Sequence, residues 1–125
     1  MKKYTFLILI TLSIFFFSSA AYSEQYVNVL GYTPFAYQRM TVTNATVRML
    51  NVTNAEIAGA VFITVETTNV RYRIDGGNPT DVEGHLLSVA AYQNLWLSDP
   101  SSIRNFRVLS TGANATLIIT FYRRN

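Results

Sequence analysis

The segment spanning residues 70–80, VRYRIDGGNPT, constrains the fold of this chain more than any other stretch. Apolar side chains alternate with Arg71 and Arg73 over its first five residues, which is the period of a β-strand with one apolar face. The DGGNP sequence that follows favours a tight turn, because glycine allows positive φ, asparagine tolerates the left-handed region and proline donates no N–H. The segment therefore predicts an all-β protein built from strands and polar turns.

The rest of the chain repeats this pattern. It is rich in Val, Ile, Thr, Phe and Tyr, the residue types that suit a pleated surface, and it has no long helical periodicity. Turn signals recur about every 8–15 residues, which is typical of a sandwich or jelly roll. We predict turns at 31–34, 44–45, 54–55, 75–79, 98–101 and 111–114. We predict strands at 25–30, 38–43, 46–51, 58–66, 70–75, 84–89, 94–98, 103–109 and 115–123. The predicted fold is a single antiparallel β-sandwich, jelly-roll or immunoglobulin-like, of about eight strands.

Two of the predicted strands, 59–65 and 116–122, are apolar on both faces. A strand with a solvated face would normally carry polar side chains there, so both are predicted to be central in their sheet. The strand at 116–122 would promote aggregation if it were an open edge of the sheet. Arg123 and Arg124, directly after it, are typical gatekeeper residues, whose charge opposes such aggregation.

The N-terminus has the pattern of a secretory signal peptide. Lys2 and Lys3 precede an apolar run over residues 6–17, and small residues follow up to Ser23. The alternative is a retained anchor, although the run is shorter than the roughly 20 residues that span a bilayer. We predict a signal peptide at 1–23 and a β-sandwich domain at 24–125, exported to the periplasm, the cell surface or the medium.

Charge and cysteine content narrow the function classes. Lys2 and Lys3 are the only lysines, so residues 24–125 carry eight arginines against seven acidic residues, a net charge of +1. The basic character of the chain belongs mainly to the signal, and nucleic acid is not an expected partner. The chain has no cysteine, which excludes a disulfide framework and thiolate metal sites.

Candidate catalytic or metal-binding groups are sparse. His85 is the only histidine, so a catalytic triad centred on it would need a geometry that sequence does not supply. Asp75, Asn78 and Asp81 could offer oxygen ligands to calcium, but a plain turn already explains the segment. We expect no enzyme activity and no cofactor, and leave calcium at this turn open.

Arginine and aromatic side chains provide the best binding hypothesis, since both are enriched where proteins bind one another. Trp96 has two alternatives, an exposed platform that could also stack on sugar rings, or a core residue. The predicted contact surface comprises Arg71, Arg73, Tyr92, Trp96, Arg104 and Arg107.

The region from about residue 58 to 123 resembles small uncharacterised β-proteins encoded by tailed phages and prophages. The resemblance lies in VFITVET at 61–67, VRYRIDG at 70–76 with the PT at 79–80 and the GH at 84–85, IRNFR at 103–107, and the run from ATL at 115–117 to FYR at 121–123. The hairpin motif is also similar to one in immunoglobulin-like accessory domains of secreted carbohydrate-active enzymes.

The phage resemblance implies a virion-associated, decoration-like structural protein, with the virion as the alternative to an exported location. We therefore expect a non-enzymatic structural or interaction module that binds protein partners, as a homo-oligomer or as a subunit of a virion or surface assembly. The alternative is a secreted carbohydrate-binding β-sandwich that uses tyrosine and tryptophan platforms.

Overall fold

The computed structural model describes residues 31–91 and 93–125. The predicted signal peptide at 1–23, the predicted strand at 25–30 and the candidate contact residue Tyr92 lie outside the described residues.

The described chain folds into two four-stranded antiparallel sheets packed face to face, which confirms the predicted all-β sandwich with eight strands. Sheet I has the order β1-β8-β3-β6, with β1 at Tyr32–Val42, β8 at Ala115–Arg124, β3 at Ala60–Glu66 and β6 at Asn94–Leu97. Sheet II has the order β2-β7-β4-β5, with β2 at Arg48–Met49, β7 at Arg107–Ser110, β4 at Val70–Arg73 and β5 at His85–Leu87.

The two strands predicted to be central, β3 and β8, pair with each other in the interior of sheet I. Their inward side chains are buried, while the outward ones, such as Ile118 and Phe62, are only partly covered. The described residues form no third layer over the outward face of these strands, which is covered in part by neighbouring side chains on the same sheet surface.

The core lies between the two sheets. Sheet I contributes alternate residues of β3 and β8, and sheet II contributes Val70, Leu87 and Val108. The largest fully buried side chains are Phe106, Phe121, Ile63, Ile103, Leu117 and Ile119. Burying a side chain of this size contributes about 1.5–3 kcal/mol, and in a chain without cysteine no disulfide adds to this stabilisation.

The prediction for the N-terminal end of strand β1 is wrong. A turn was expected at residues 31–34, but β1 pairs with β8 from Tyr32 onward, opposite Arg124. Pro34 falls within the strand, and the register shifts between Pro34 and Ala36, where the ladder is irregular. Because β1 is an edge strand of sheet I, it tolerates a proline, which has no N–H to donate.

The sequence-based prediction missed two six-residue helices, which stand where turns or strands were expected. Helix α1 at Val52–Ile57 begins after Asn51, whose side chain accepts a hydrogen bond from the Asn54 N–H. It replaces the turn expected at 54–55, and the strand predicted at 46–51 is limited to β2.

Helix α2 at Pro100–Asn105 begins after Asp99, which accepts from the Ser102 N–H, and it has proline in its first turn. It occupies the first half of the strand predicted at 103–109. Both helices were missed because one and a half turns are too short to show helical periodicity. No helix within the described ranges has the length and apolarity to cross a bilayer.

Candidate interaction surface

Three of the four predicted arginines that the structure describes, Arg71, Arg73 and Arg107, lie on the outer side of sheet II. The fourth, Arg104, lies in helix α2, which contacts strands β3 and β6 of sheet I. Val70 points into the core, so the alternation of β4 turns Arg71 and Arg73 outward. Arg107 lies directly opposite Arg73 on β7. Arg104 is in the last turn of α2, and its carbonyl accepts from Arg107 Nη1 at 3.3 Å.

Arg71 binds its own chain. Its Nε donates to the Asp81 carbonyl and its Nη1 to the Gly84 carbonyl, both at 2.9 Å. These bonds hold the loop between β4 and β5 against the outer side of sheet II. Arg71 therefore orders a loop, and two of its guanidinium nitrogens already bond to carbonyls of its own chain.

Arg73 forms a two-pronged ion pair with Asp75. Nε lies 3.0 Å from Oδ1 and Nη2 lies 2.5 Å from Oδ2, and the Gly77 N–H donates to Oδ1 at 3.1 Å. The hydrogen bond from Arg73 and that from Gly77 hold the pKa of the Asp75 carboxyl well below its ordinary value. The turn at 75–77 is thus closed by its own side chains, and the described residues contain no cluster of three His, Cys, Asp or Glu side chains suited to a metal ion.

Arg104 and Arg107 line a concave site with helix α1, which we call the helix groove. The groove has a volume of about 220 Å³ and is lined by Met49, Leu50, Val52, Ala55, Glu56, Arg104 and Arg107. Two of its apolar side chains are exposed, Met49 at 44% and Val52 at 58%. Two arginines, one carboxylate and exposed apolar surface therefore meet in one depression.

Trp96 lies on the opposite side of the molecule, on the outer face of sheet I. Its ring packs against Tyr32, Phe62 and Tyr122, with centroid separations of 5.8, 6.5 and 5.1 Å. It is partly exposed, so it belongs to a surface aromatic cluster outside the core between the sheets. The structure thus separates Trp96 from the four arginines with which the sequence grouped it.

His85 has aromatic neighbours. Its ring lies 5.3 Å from that of Tyr72, which in turn stacks on Phe106 at 5.7 Å. Burial raises the pKa of the Tyr72 hydroxyl, as expected for a side chain that packs against the core. This stack extends the core packing outward to the edge strand β5.

The loop between β4 and β5 ends in an exposed group that the sequence prediction missed, residues 81–83, which we call the acidic tip. Val82 is 73% exposed between Asp81 and Glu83. Thr80 shapes the tip, because its Oγ1 accepts from the Val82 and Glu83 N–H groups at 3.3 and 2.9 Å. The missed signal was an apolar residue between two acids in a turn.

The helix groove was missed for a different reason. Its walls come from residues 49–56 and 104–107, two segments that the prediction assigned mainly to strands and a turn. Only the structure brings them together.

Comparison of the chain with protein-family models, with curated proteins and with solved structures finds no match.

Proposed function

We propose that this protein is a non-enzymatic interaction module of an exported assembly, of the phage or prophage surface type, and that it binds a protein partner through the helix groove. The observation that carries the proposal is the meeting of Arg104 and Arg107 with the exposed side chains of Met49 and Val52 in one concave site.

This composition is characteristic of protein interfaces, where arginine and methionine are enriched relative to the remaining surface. Removing the exposed parts of Met49 and Val52 from water would contribute about 1–2 kcal/mol each to binding. The two guanidinium groups at the rim would select a partner that carries carboxylates, through charge-assisted hydrogen bonds. The groove thus offers both a source of affinity and a source of specificity.

Site-specific photo-crosslinking tests the proposal. A benzophenone amino acid is placed at Val52, at the rim of the helix groove, and in a control protein at Tyr37, a position of β1 that is 62% exposed and lies outside the groove. After irradiation of cells that produce and export the protein, we expect a discrete protein adduct from position 52 and none from position 37. No adduct from position 52, or equal adducts from positions 52 and 37, would overturn the proposal.

The aromatic cluster on sheet I favours a second candidate function, binding of a saccharide. Trp96 is partly exposed beside Tyr32 and Tyr122, and aromatic faces stack on the apolar faces of sugar rings. A glycan array probed with the wild type, Trp96→Ala and Tyr92→Ala tests this candidate. Binding that is lost in Trp96→Ala supports it, and an array without binding, or with binding unaffected by either substitution, rejects it.

A further inference from the structure

We infer that the partner of the helix groove is the acidic tip of a second copy of this chain, in a two-fold symmetric dimer. The inference rests on the proposed function and names the occupant of the same site.

The two surfaces have complementary charge and polarity. The acidic tip presents one exposed apolar side chain, Val82, between two carboxylates. The helix groove presents exposed apolar side chains beside two guanidinium groups. Docking would place Val82 against Met49 and Val52, with Asp81 and Glu83 near the two arginines of the groove.

The groove also contains one carboxylate, Glu56, which leaves it with a formal charge of +1 against −2 on the tip. The opposite signs favour their contact.

These charges have no ion-pair partner within the described part of the chain, where the single ion pair joins Arg73 to Asp75. Arg107 directs Nη1 to the carbonyls of Arg104 and Phe106, at 3.3 and 3.0 Å, and this geometry orients its guanidinium at the groove. Arg104 is exposed at the end of α2. Carboxylates from outside the chain can therefore pair with both guanidinium groups.

The tip is held in place before it binds. Arg71 fastens the loop through the Asp81 and Gly84 carbonyls, and Thr80 accepts two hydrogen bonds from the tip. A fixed loop loses little conformational entropy on docking, which favours binding.

The position of the two surfaces sets the symmetry. The acidic tip is fastened by Arg71 on the outer side of sheet II, and the groove begins at Arg107 on the same side. When a tip and its complementary site share one side of a molecule, a two-fold axis forms each contact twice and closes the dimer.

Charge reversal tests the inference. The tip variant carries Asp81→Arg and Glu83→Arg, and the groove variant carries Arg104→Glu and Arg107→Glu. Sedimentation velocity over a range of concentrations measures the dimer dissociation constant. We expect the wild type to dimerise and each variant alone to dissociate at least about tenfold more readily, because tip and groove then carry like charges. An equimolar mixture of the two variants should dimerise again: one contact joins the reversed tip to the reversed groove, and the other joins the wild-type tip of the groove variant to the wild-type groove of the tip variant.

Arg107 donates hydrogen bonds to two carbonyls of its own chain, so its substitution could disturb the fold as well as the dimer. Two milder variants separate these effects. Val82→Ser changes only an exposed tip residue, and Arg104→Glu changes only an exposed groove residue. Each should keep the wild-type circular dichroism spectrum, and the wild-type melting temperature at a protein concentration at which both are monomeric, while weakening the dimer.

Three results would overturn the inference: a wild type that stays monomeric at every concentration, a dimer that all four variants retain, or a mixture that fails to dimerise. The proposed function is tested separately. A crosslinked adduct from position 52 that contains a different protein would support a groove partner and reject the second copy. An adduct with the same chain but no restored association in the mixture would reject the tip as the occupant.

Discussion

Arg73 on β4 and Arg107 on β7 lie directly opposite each other across two hydrogen-bonded strands. Like charges in this position normally destabilise a sheet. Here each guanidinium has a separate partner, Arg73 the Asp75 carboxylate and Arg107 the carbonyls of Arg104 and Phe106. Arg73 is therefore neutralised by the Asp75 carboxylate at the turn, whereas Arg107 bonds only to carbonyls among the described residues and keeps its full charge at the helix groove.

The first prediction concerns the ion pair between Arg73 and Asp75. Asp75→Asn removes the negative charge opposite Arg73 and should lower the melting temperature at pH 7. The folded-state pKa of Asp75 is lowered, so its stabilising contribution is complete above the unfolded-state value of about 3.9 and is lost as the pH falls below it. Thermal melts at a series of pH values should show the difference between wild type and variant constant near neutrality and shrinking below pH ~4. A difference that persists unchanged at pH ~2 would contradict this.

The second prediction ranks three glycine substitutions by the backbone φ angle at each position and by the space available for a Cβ atom. Gly84 has φ +112 and its added Cβ would lie 2.9 Å from the Tyr72 carbonyl oxygen, whereas Gly76 has φ +84 with its nearest neighbour at 3.7 Å. Gly112 has ordinary φ and similar space. We therefore expect Gly84→Ala to destabilise most, Gly76→Ala by about 1–2 kcal/mol and Gly112→Ala least.

Urea denaturation gives the order of the three free energies of unfolding. Gly76→Val should cost more than Gly76→Ala, because a β-branched residue fits positive φ poorly. An unchanged stability for Gly76→Val would show that the turn does not need the left-handed conformation.

The third prediction concerns Phe106, which is fully buried and stacks on Tyr72 at an interplanar angle of 23°. Phe106 ends helix α2 and its ring fills the end of the core, so Phe106→Ala should reduce the free energy of unfolding by about 3–5 kcal/mol. Phe106→Leu keeps most of the volume and should cost clearly less. Equal losses in the two variants, measured by urea denaturation, would argue against a packing role.

The fourth prediction concerns Ser110, the one buried polar side chain of the described core. Its hydroxyl donates to the Ala113 carbonyl and accepts from the Gly112 N–H, closing the turn between β7 and β8. Ser110→Ala should destabilise by about 1 kcal/mol, because these bonds are lost while the neighbouring backbone groups regain water. Ser98→Ala, at an exposed position, is the matched control and should leave the urea midpoint unchanged.

The sequence by itself determined the sandwich and its central strands. The alternation of Val70, Tyr72 and their arginine neighbours, and the doubly apolar segments that became β3 and β8, follow from a side-chain period of two that strand geometry imposes. The 75–79 turn was likewise visible, since its glycines and proline act locally. These features depend on residues adjacent in the chain, which is why pattern alone reaches them.

Only the tertiary structure decided which side chains share a surface. It placed Trp96 on the outer face of sheet I, brought Arg107 opposite Arg73, and formed the helix groove from residues 49–56 and 104–107, which are distant in sequence. It also assigned Arg71 to its own loop, whereas Arg104 and Arg107 have no ion-pair partner among the described residues. Strand order and the packing of short helices depend on contacts between distant segments, and no local period encodes them.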